Sequence, residues 1–417
     1  MLDVEDRLAE LEELGIARRM RMVSGPQGPR VVLDGRPVLL LCSDNHLGLA
    51  DHPRVREAAA DAAMRWGAGA GASRLASGTM TLHRRLEERI ADFLGTEAAL
   101  LFGSGYLANL GIIPALAERG DIVFADSLGH PSVVDGCRLA GADTFLYDHG
   151  DVDHLAWGLR NADGRAALIV TDGVFALDGD RAPLEEIVGL AHRHDVRVMV
   201  GESHGIGAVG PDGRGALAAA GLEREVDVVV GSLATALGAY GAFAACDRAL
   251  ARYLAGHARP LAGSTAPPPP AVAAAMAALE LLREQPRRVE KLQANAELLR
   301  TELAREGFEV AGSDAHIVSL VIGEARLAAR IAEGALEQGV YVGAVWAPDV
   351  PEGAARLRLA VMASHTKSEL RDAARALGRA ALRAGFRPGA GVPLAAAQAP
   401  APASTGVFDG AVLPRAA

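Results

Sequence analysis

Between Ala98 and Cys246, short runs of Val, Ile, Leu, Phe and Ala alternate with stretches of helical spacing, and most runs end in a glycine-bearing loop. No other feature constrains the fold as tightly. Strands that are apolar at every position, rather than at every second one, must be covered on both faces, as in a mostly parallel sheet. The predicted strands are Ala98–Phe102, Ile122–Ala125, Thr144–Tyr147, Ala167–Thr171, Val196–Val200, Asp227–Gly231 and Ala242–Cys246. Leu184–His194 lies between two of them and predicts a crossover helix, giving a βαβ unit. In such sheets ligands bind beyond the carboxyl ends of the strands. The residues at those ends are Gly103–Tyr106, His130, Asp172, Glu202–His204 and Ser232–Thr235.

Length and composition narrow the possibilities. A chain of 417 residues predicts two or three folding units, and 50% apolar residues supply an ample core. The net charge of −10 argues against a nucleic-acid groove, which needs clustered Lys and Arg. Cys42, Cys137 and Cys246 stand far apart, which excludes a disulfide framework or a cysteine–zinc cluster. Residues 1–18 read as a charged helix without the apolar stretch of a signal peptide, and no apolar run reaches about twenty residues. The expectation is a cytoplasmic protein with no membrane span and no nucleic-acid partner. Only Lys291 and Lys367 carry an ammonium group.

Further along, Gly263–Pro270 ends in four prolines and predicts a stiff break. A helical pattern follows from Val272 to about Glu306, interrupted near Pro286, and strands are expected at Ile317–Ile322 and Arg356–Val361. The expected organisation is an N-terminal helix and strand segment (1–45), a large sheet domain (46–285), a small α+β domain (286–387) and a disordered, Ala- and Pro-rich tail (388–417).

Seven collinear segments carry a resemblance. They are S-D-N-H-L-G-L-A-D-H-P (43–53), G-A-S-R-L-A-S-G-T (71–79) with H-R-R-L-E (83–87), G-S-G-Y-L-A-N (103–109), D-S-L-G-H-P-S-V-V-D-G (126–136), T-D-G-V-F-A-L-D-G-D-R-A-P-L (171–184), S-H-G-I-G-A-V-G-P-D-G-R-G (203–215) and R-L-R-L (356–359) with S-H-T (364–366). Across residues 35 to 385 the chain resembles the α-oxoamine synthases, which condense an amino acid with an acyl thioester. The resemblance implies a fold type I, aminotransferase-like architecture: a large, mostly parallel seven-stranded sheet domain, a small C-terminal α+β domain and a homodimer. It also implies a pocket for pyridoxal phosphate (PLP). Ser104, Gly105 and Tyr106 match the phosphate turn, and His130 matches the ring-stacking imidazole. His204 matches the histidine near the cofactor hydroxyl, Arg358 the arginine that holds the amino-acid carboxylate, and Ser264 a phosphate contact from the neighbouring subunit.

Two departures stand against that pattern. The family's V-D-[ED]-[AS]-H reads V-G-E-S-H, so Gly201 stands where the carboxylate for the pyridine nitrogen is expected. The family's Schiff-base lysine position is occupied by Thr235, whose hydroxyl cannot form an imine. Ala176 stands at a position usually held by serine. With the lysine and the aspartate both replaced, the residues predict a vestigial cofactor pocket (Ser104, Gly105, Tyr106, Asp172, Ala176, Gly201) and no cofactor, covalent PLP least of all. The function then expected is PLP-independent acyl transfer from a CoA or carrier-protein thioester to an amine or hydroxyl. His204 serves as general base, and His130, Glu202, Ser203 and Thr235 complete the catalytic set. Ser232, Ser264, Arg74, His46 and Arg358 are the expected substrate contacts. Two alternatives stay open: a non-catalytic subunit paired with a lysine-bearing homologue, or α-oxoamine synthase-like condensation with PLP held non-covalently. No metal is expected, the carboxylates Asp172, Asp178 and Asp180 being read as a structural turn, and Cys137 is read as core.

Overall fold

The computed structural model describes residues 3–310, 312–387 and 389. The tail expected at 388–417 lies, apart from Gly389, outside the described residues. Helix α1 (Val4–Glu13) is capped by Asp3 and buries none of its residues. Strands β1 (Val23–Ser24), β2 (Arg30–Leu33) and β3 (Arg36–Leu40) form an antiparallel ribbon. Helices α2 (Pro53–Trp66) and α3 (Thr81–Leu94) then lead into the main sheet.

That sheet is built from β4 (Ala98–Phe102), α4 (Gly105–Leu116), β5 (Ile122–Asp126), α5 (Pro131–Ala140), β6 (Asp143–Tyr147), α6 (Val152–Arg160), β7 (Ala166–Asp172), α7 (Leu184–His194), β8 (Arg197–Gly201), α8 (Ala216–Ala220), β9 (Val228–Ser232) and β10 (Ala242–Cys246). The strand order is β4-β10-β9-β8-β7-β5-β6, with β10 antiparallel to both neighbours and the other pairs parallel. All seven predicted strands and the crossover helix are present. Alternate residues feed two cores. Ile122 and Phe124 of β5 join the cluster shared with α3 and α7, while Val123 and Ala125 pack beneath α4 and α5 with Cys137. Cover on both faces is why these strands lack alternation in the sequence.

Helices α9 (Arg248–His257), α10 (Arg259–Gly263), α11 (Pro269–Glu284) and α12 (Arg287–Arg305) follow, the last two separated at Gln285–Pro286 as expected. The proline run is less of a break than its composition suggests. Pro269 and Pro270 form the first turn of α11, where the missing N–H groups cost nothing because that turn has no intrahelical acceptors.

The C-terminal part contains β11 (Ile317–Gly323), α13 (Ala325–Glu337), β12 (Val340–Tyr341), β13 (Gly343–Val345), β14 (Ala355–Ala360) and α14 (Lys367–Ala384). Strands β11, β14 and β13 make an antiparallel sheet. Strand β12 pairs in parallel with β3, so the N-terminal ribbon is an extension of the C-terminal part. Among the described residues no helix is long and apolar enough to cross a membrane.

Candidate active site

The carboxyl ends of β7, β8 and β9 and the N-termini of α4 and α5 converge. Ser104 caps α4, its hydroxyl accepting the Leu107 N–H at 3.2 Å, which leaves Gly105 and Tyr106 in the first turn at the positive end of the helix. Tyr106 is exposed, and its hydroxyl donates to Asp135. His130 caps α5 through a ring nitrogen, Nδ1, which accepts from the Ser132 N–H and lies 2.7 Å from the Ser132 hydroxyl.

The strand ends hold the most informative geometry. Asp172 of β7 and Gly201 of β8 are partners in the parallel register. A Cβ placed on Gly201 would lie 2.0 Å from Asp172 Oδ1, so the Asp172 carboxyl occupies the space that a side chain at 201 would take. Desolvation, reinforced by the charge of Asp126, pushes the Asp172 carboxyl up to about 7, against a lowering hydrogen bond from the His130 backbone N–H. Asp172 thus lies next to the His130 turn, in the space a side chain on Gly201 would fill.

Three residues expected to be catalytic have other partners. Both Glu202 oxygens accept backbone N–H groups at the start of α8, from Ala216 at 3.1 Å and Leu217 at 2.7 Å. The backbones of Gly205 and Gly215 close around that carboxylate so tightly that a Cβ on Gly205 would lie 1.7 Å from it. Glu202 is a helix cap walled off from the pocket. The Thr235 hydroxyl donates to the Ser203 carbonyl at 2.8 Å, which ties the loop after β9 to the loop after β8 and commits its proton to the backbone. Ser203 supplies that carbonyl, and its hydroxyl lies 3.9 Å from the point a Cβ on Gly105 would reach.

Substrate contacts sort similarly. Arg74 is occupied: it donates to Glu87 at 2.7 Å, to the Leu101 carbonyl and to Thr79, so it holds α3 against β4. Ser232 accepts the Ala234 N–H, and the Ser264 hydroxyl donates to the Pro260 carbonyl. Arg358 of β14 points to the site, donating through Nε to the Ala176 carbonyl at 2.6 Å and through Nη2 to Asp44 at 3.1 Å. Those bonds fix the guanidinium plane without using Nη1. The carboxylates read as a structural turn have separate partners: Asp178 is paired with Arg356, Asp180 with His149, and Asp172 faces Gly201.

His204 is held neutral, its ring pushed down to about 3 by desolvation, with Asp44 only partly offsetting. Its ring centre lies 5.4 Å from that of His46 and 6.1 Å from that of His316. His316, one residue before β11, escapes the sequence reading because no local spacing links it to the others. His149 escapes it too, bridging Asp126 at 2.8 Å and Asp180 at 2.6 Å.

Residues 36–377 match the family model for aminotransferase class I and II. The 8-amino-7-oxononanoate synthase of Geobacter sulfurreducens is 46% identical over 379 residues, covering 90% of this chain and 97% of the relative. That of Citrifermentans bemidjiense is 46% identical over 372 residues, covering 88% and 95%. Among solved structures, serine palmitoyltransferase with a PLP internal aldimine superposes with a TM-score of 0.88 at 30% identity, covering 92% of this chain and 98% of the other. A lysine-to-alanine variant of serine palmitoyltransferase from S. paucimobilis, with bound PLP–myriocin aldimine, also scores 0.88, at 31% identity over 92% and 97%.

Two expectations are overturned by these findings. PLP-independent acyl transfer is not supported, because the relatives named at 46% identity are 8-amino-7-oxononanoate synthases. An expectation of no cofactor conflicts with neighbours solved with PLP, one of them in a variant that has lost a lysine. Both expectations rested on Gly201 and Thr235 standing at the aspartate and lysine positions, and the relatives and solved neighbours outweigh them. A family model matched over most of the length, together with these relatives, shows that the chain belongs to the aminotransferase class I and II family, in its α-oxoamine synthase branch, with the fold type I architecture.

Proposed function

We propose that this chain is a PLP-dependent α-oxoamine synthase that holds its cofactor by non-covalent contacts and joins an amino acid to an acyl-CoA thioester. The observation that carries the reading is the Asp172 carboxyl in the side-chain space of Gly201. The other residues present fit the group. The N-terminus of α4 at Ser104–Tyr106 suits a phosphate, and His130 suits the ring face. A covalent link does not fit, since Lys291 lies on α12 and Lys367 opens α14, neither at the strand ends. When bound, PLP supplies an electron sink for a carbanion at the amino-acid α carbon.

The chain's own groups divide the remaining work. Asp172, raised to about 7, would sit as a carboxylate opposite the ring nitrogen of the bound group and would hold a proton there. Arg358, braced by Ala176 and Asp44, presents Nη1 to an amino-acid carboxylate. His204, held neutral, accepts a hydrogen bond at a ring nitrogen. Thr235 positions the Ser203 loop and takes no part in bond making. A homodimer belongs to this reading, supported by large apolar side chains left exposed at Trp66, Leu75, Tyr106 and Tyr240.

The test is direct. PLP is titrated into the purified chain and followed by its absorbance, and release of CoA thiol and carbon dioxide is assayed with L-alanine and a seven-carbon dicarboxylic acyl-CoA, the pair whose carbons give the 8-amino-7-oxononanoate skeleton. Saturable binding and turnover are expected. Asp172→Asn should weaken PLP about 10- to 100-fold, the cost of a hydrogen bond to a charged group. Absence of PLP binding, or a tight assembly with a lysine-bearing homologue as the sole route to activity, would replace the reading.

A further inference from the structure

Three histidines from distant parts of the chain meet beside the candidate site. His46 lies in the loop after β3, His204 in the loop after β8, and His316 immediately before β11. One ring nitrogen from each falls within 4.8 Å of the other two. The rings of His46 and His316 are 3.8 Å apart between centres. His46 is completely buried and His316 is 1% exposed. Both nitrogens of His46, both of His316, and Nδ1 of His204 are buried without a hydrogen-bond partner. Five orphaned nitrogens in one place are costly, since each buried polar atom left unmade forfeits about 1–3 kcal/mol. Asp44 comes no nearer than 3.6 Å to His46 Nε2, beyond hydrogen-bond reach, and is shared with Arg358. Burial keeps all three imidazoles neutral, the form that donates a lone pair.

The geometry points to a binding site for one divalent transition-metal ion, with His46, His204 and His316 as ligands. Three neutral imidazoles suit zinc, cobalt, nickel or copper rather than magnesium or calcium, which prefer oxygen. Zinc–nitrogen bonds of about 2.0–2.1 Å place tetrahedral ligand atoms roughly 3.3 Å apart, so the ring nitrogens need to approach by about 1.5 Å while the His46 and His316 rings turn away from each other. The ion would satisfy one orphan on each ring and leave its fourth position for water or a substrate atom. It would also tie the N-terminal segment, the main sheet and the C-terminal sheet together, so binding should raise thermal stability. The inference shares His204 with the PLP reading but does not rest on it, and its test contains no PLP, so the failure of one is distinguishable from the failure of the other.

The full chain, without a histidine tag and stripped by chelator, is titrated with zinc sulfate alone by calorimetry and with cobalt(II) by visible absorption. One ion per chain is expected, with a rise in Tm and the intense colour of tetrahedral cobalt. His46→Ala and His316→Ala should each weaken zinc at least about 100-fold. His192→Ala, on the exposed face of α7, should leave binding unchanged. No saturable binding, or equal binding by all three variants, overturns the site. Where a variant misfolds by circular dichroism, anomalous diffraction from zinc-soaked crystals of the unaltered chain decides: a peak among the three rings supports the site, and a peak elsewhere or none refutes it.

Discussion

Gly201 and Asp172 share one space. The register of β7 against β8 sets them side by side, and the Asp172 carboxyl lies where a side chain on Gly201 would go. Gly201→Asp should therefore clash with Asp172 and weaken PLP, while Asp172→Ala combined with Gly201→Asp should recover most of the affinity. Additive losses in that cycle, measured by PLP titration, would show the two positions to be independent. His149 makes a separate point about buried charge. Burial lowers its pKa, but hydrogen bonds to Asp126 and Asp180 outweigh that and raise it to about 10. The folded value lies above the unfolded one near 6.5, so the stabilisation is complete below about pH 6.5 and disappears as pH rises through 10. Relative to His149→Gln, the wild-type chain should be more stable at pH 7 by a few kcal/mol, on the order expected for such a shift, and the gap should close by about pH 10.5. Chemical denaturation at the two pH values measures it, and a gap that stays constant would contradict the bridge.

At the scale of elements, the sheet was legible because burial on both faces writes itself into the sequence as continuous apolar runs, and the chain has seven. Partners remote in sequence leave no such mark. Glu202 reads as catalytic beside His204, yet it caps α8, and only the folded backbone of Gly205 and Gly215 reveals its enclosure. Arg74 reads as a substrate contact until Glu87 of α3 turns toward it. The most demanding contact between elements is also invisible locally. Arg356 of β14 and Asp178, from the loop after β7, are both fully buried and joined at 2.6 and 2.7 Å. Replacing one partner strands the other's charge, so Asp178→Ala should cost about 3–5 kcal/mol. Urea unfolding tests this, and a loss below about 1 kcal/mol would mean that the pair does not hold β14 to the main sheet.

At the scale of the molecule, the chain keeps the architecture of its family and assembles one candidate site from three parts. The C-terminal sheet delivers Arg358, the N-terminal loop delivers His46 and Asp44, and the main sheet delivers Asp172 and His204, so the site exists only when all three are assembled. Central to the proposed function is a cofactor held without a covalent bond. Borohydride reduction of the PLP-loaded chain, followed by intact-mass and peptide mass spectrometry, tests that property most directly. The wild-type chain should show no phosphopyridoxyl adduct although PLP binds saturably, and Thr235→Lys should acquire one at residue 235. An adduct on Lys291 or Lys367 of the wild-type chain, formed in proportion to bound PLP, would contradict the account.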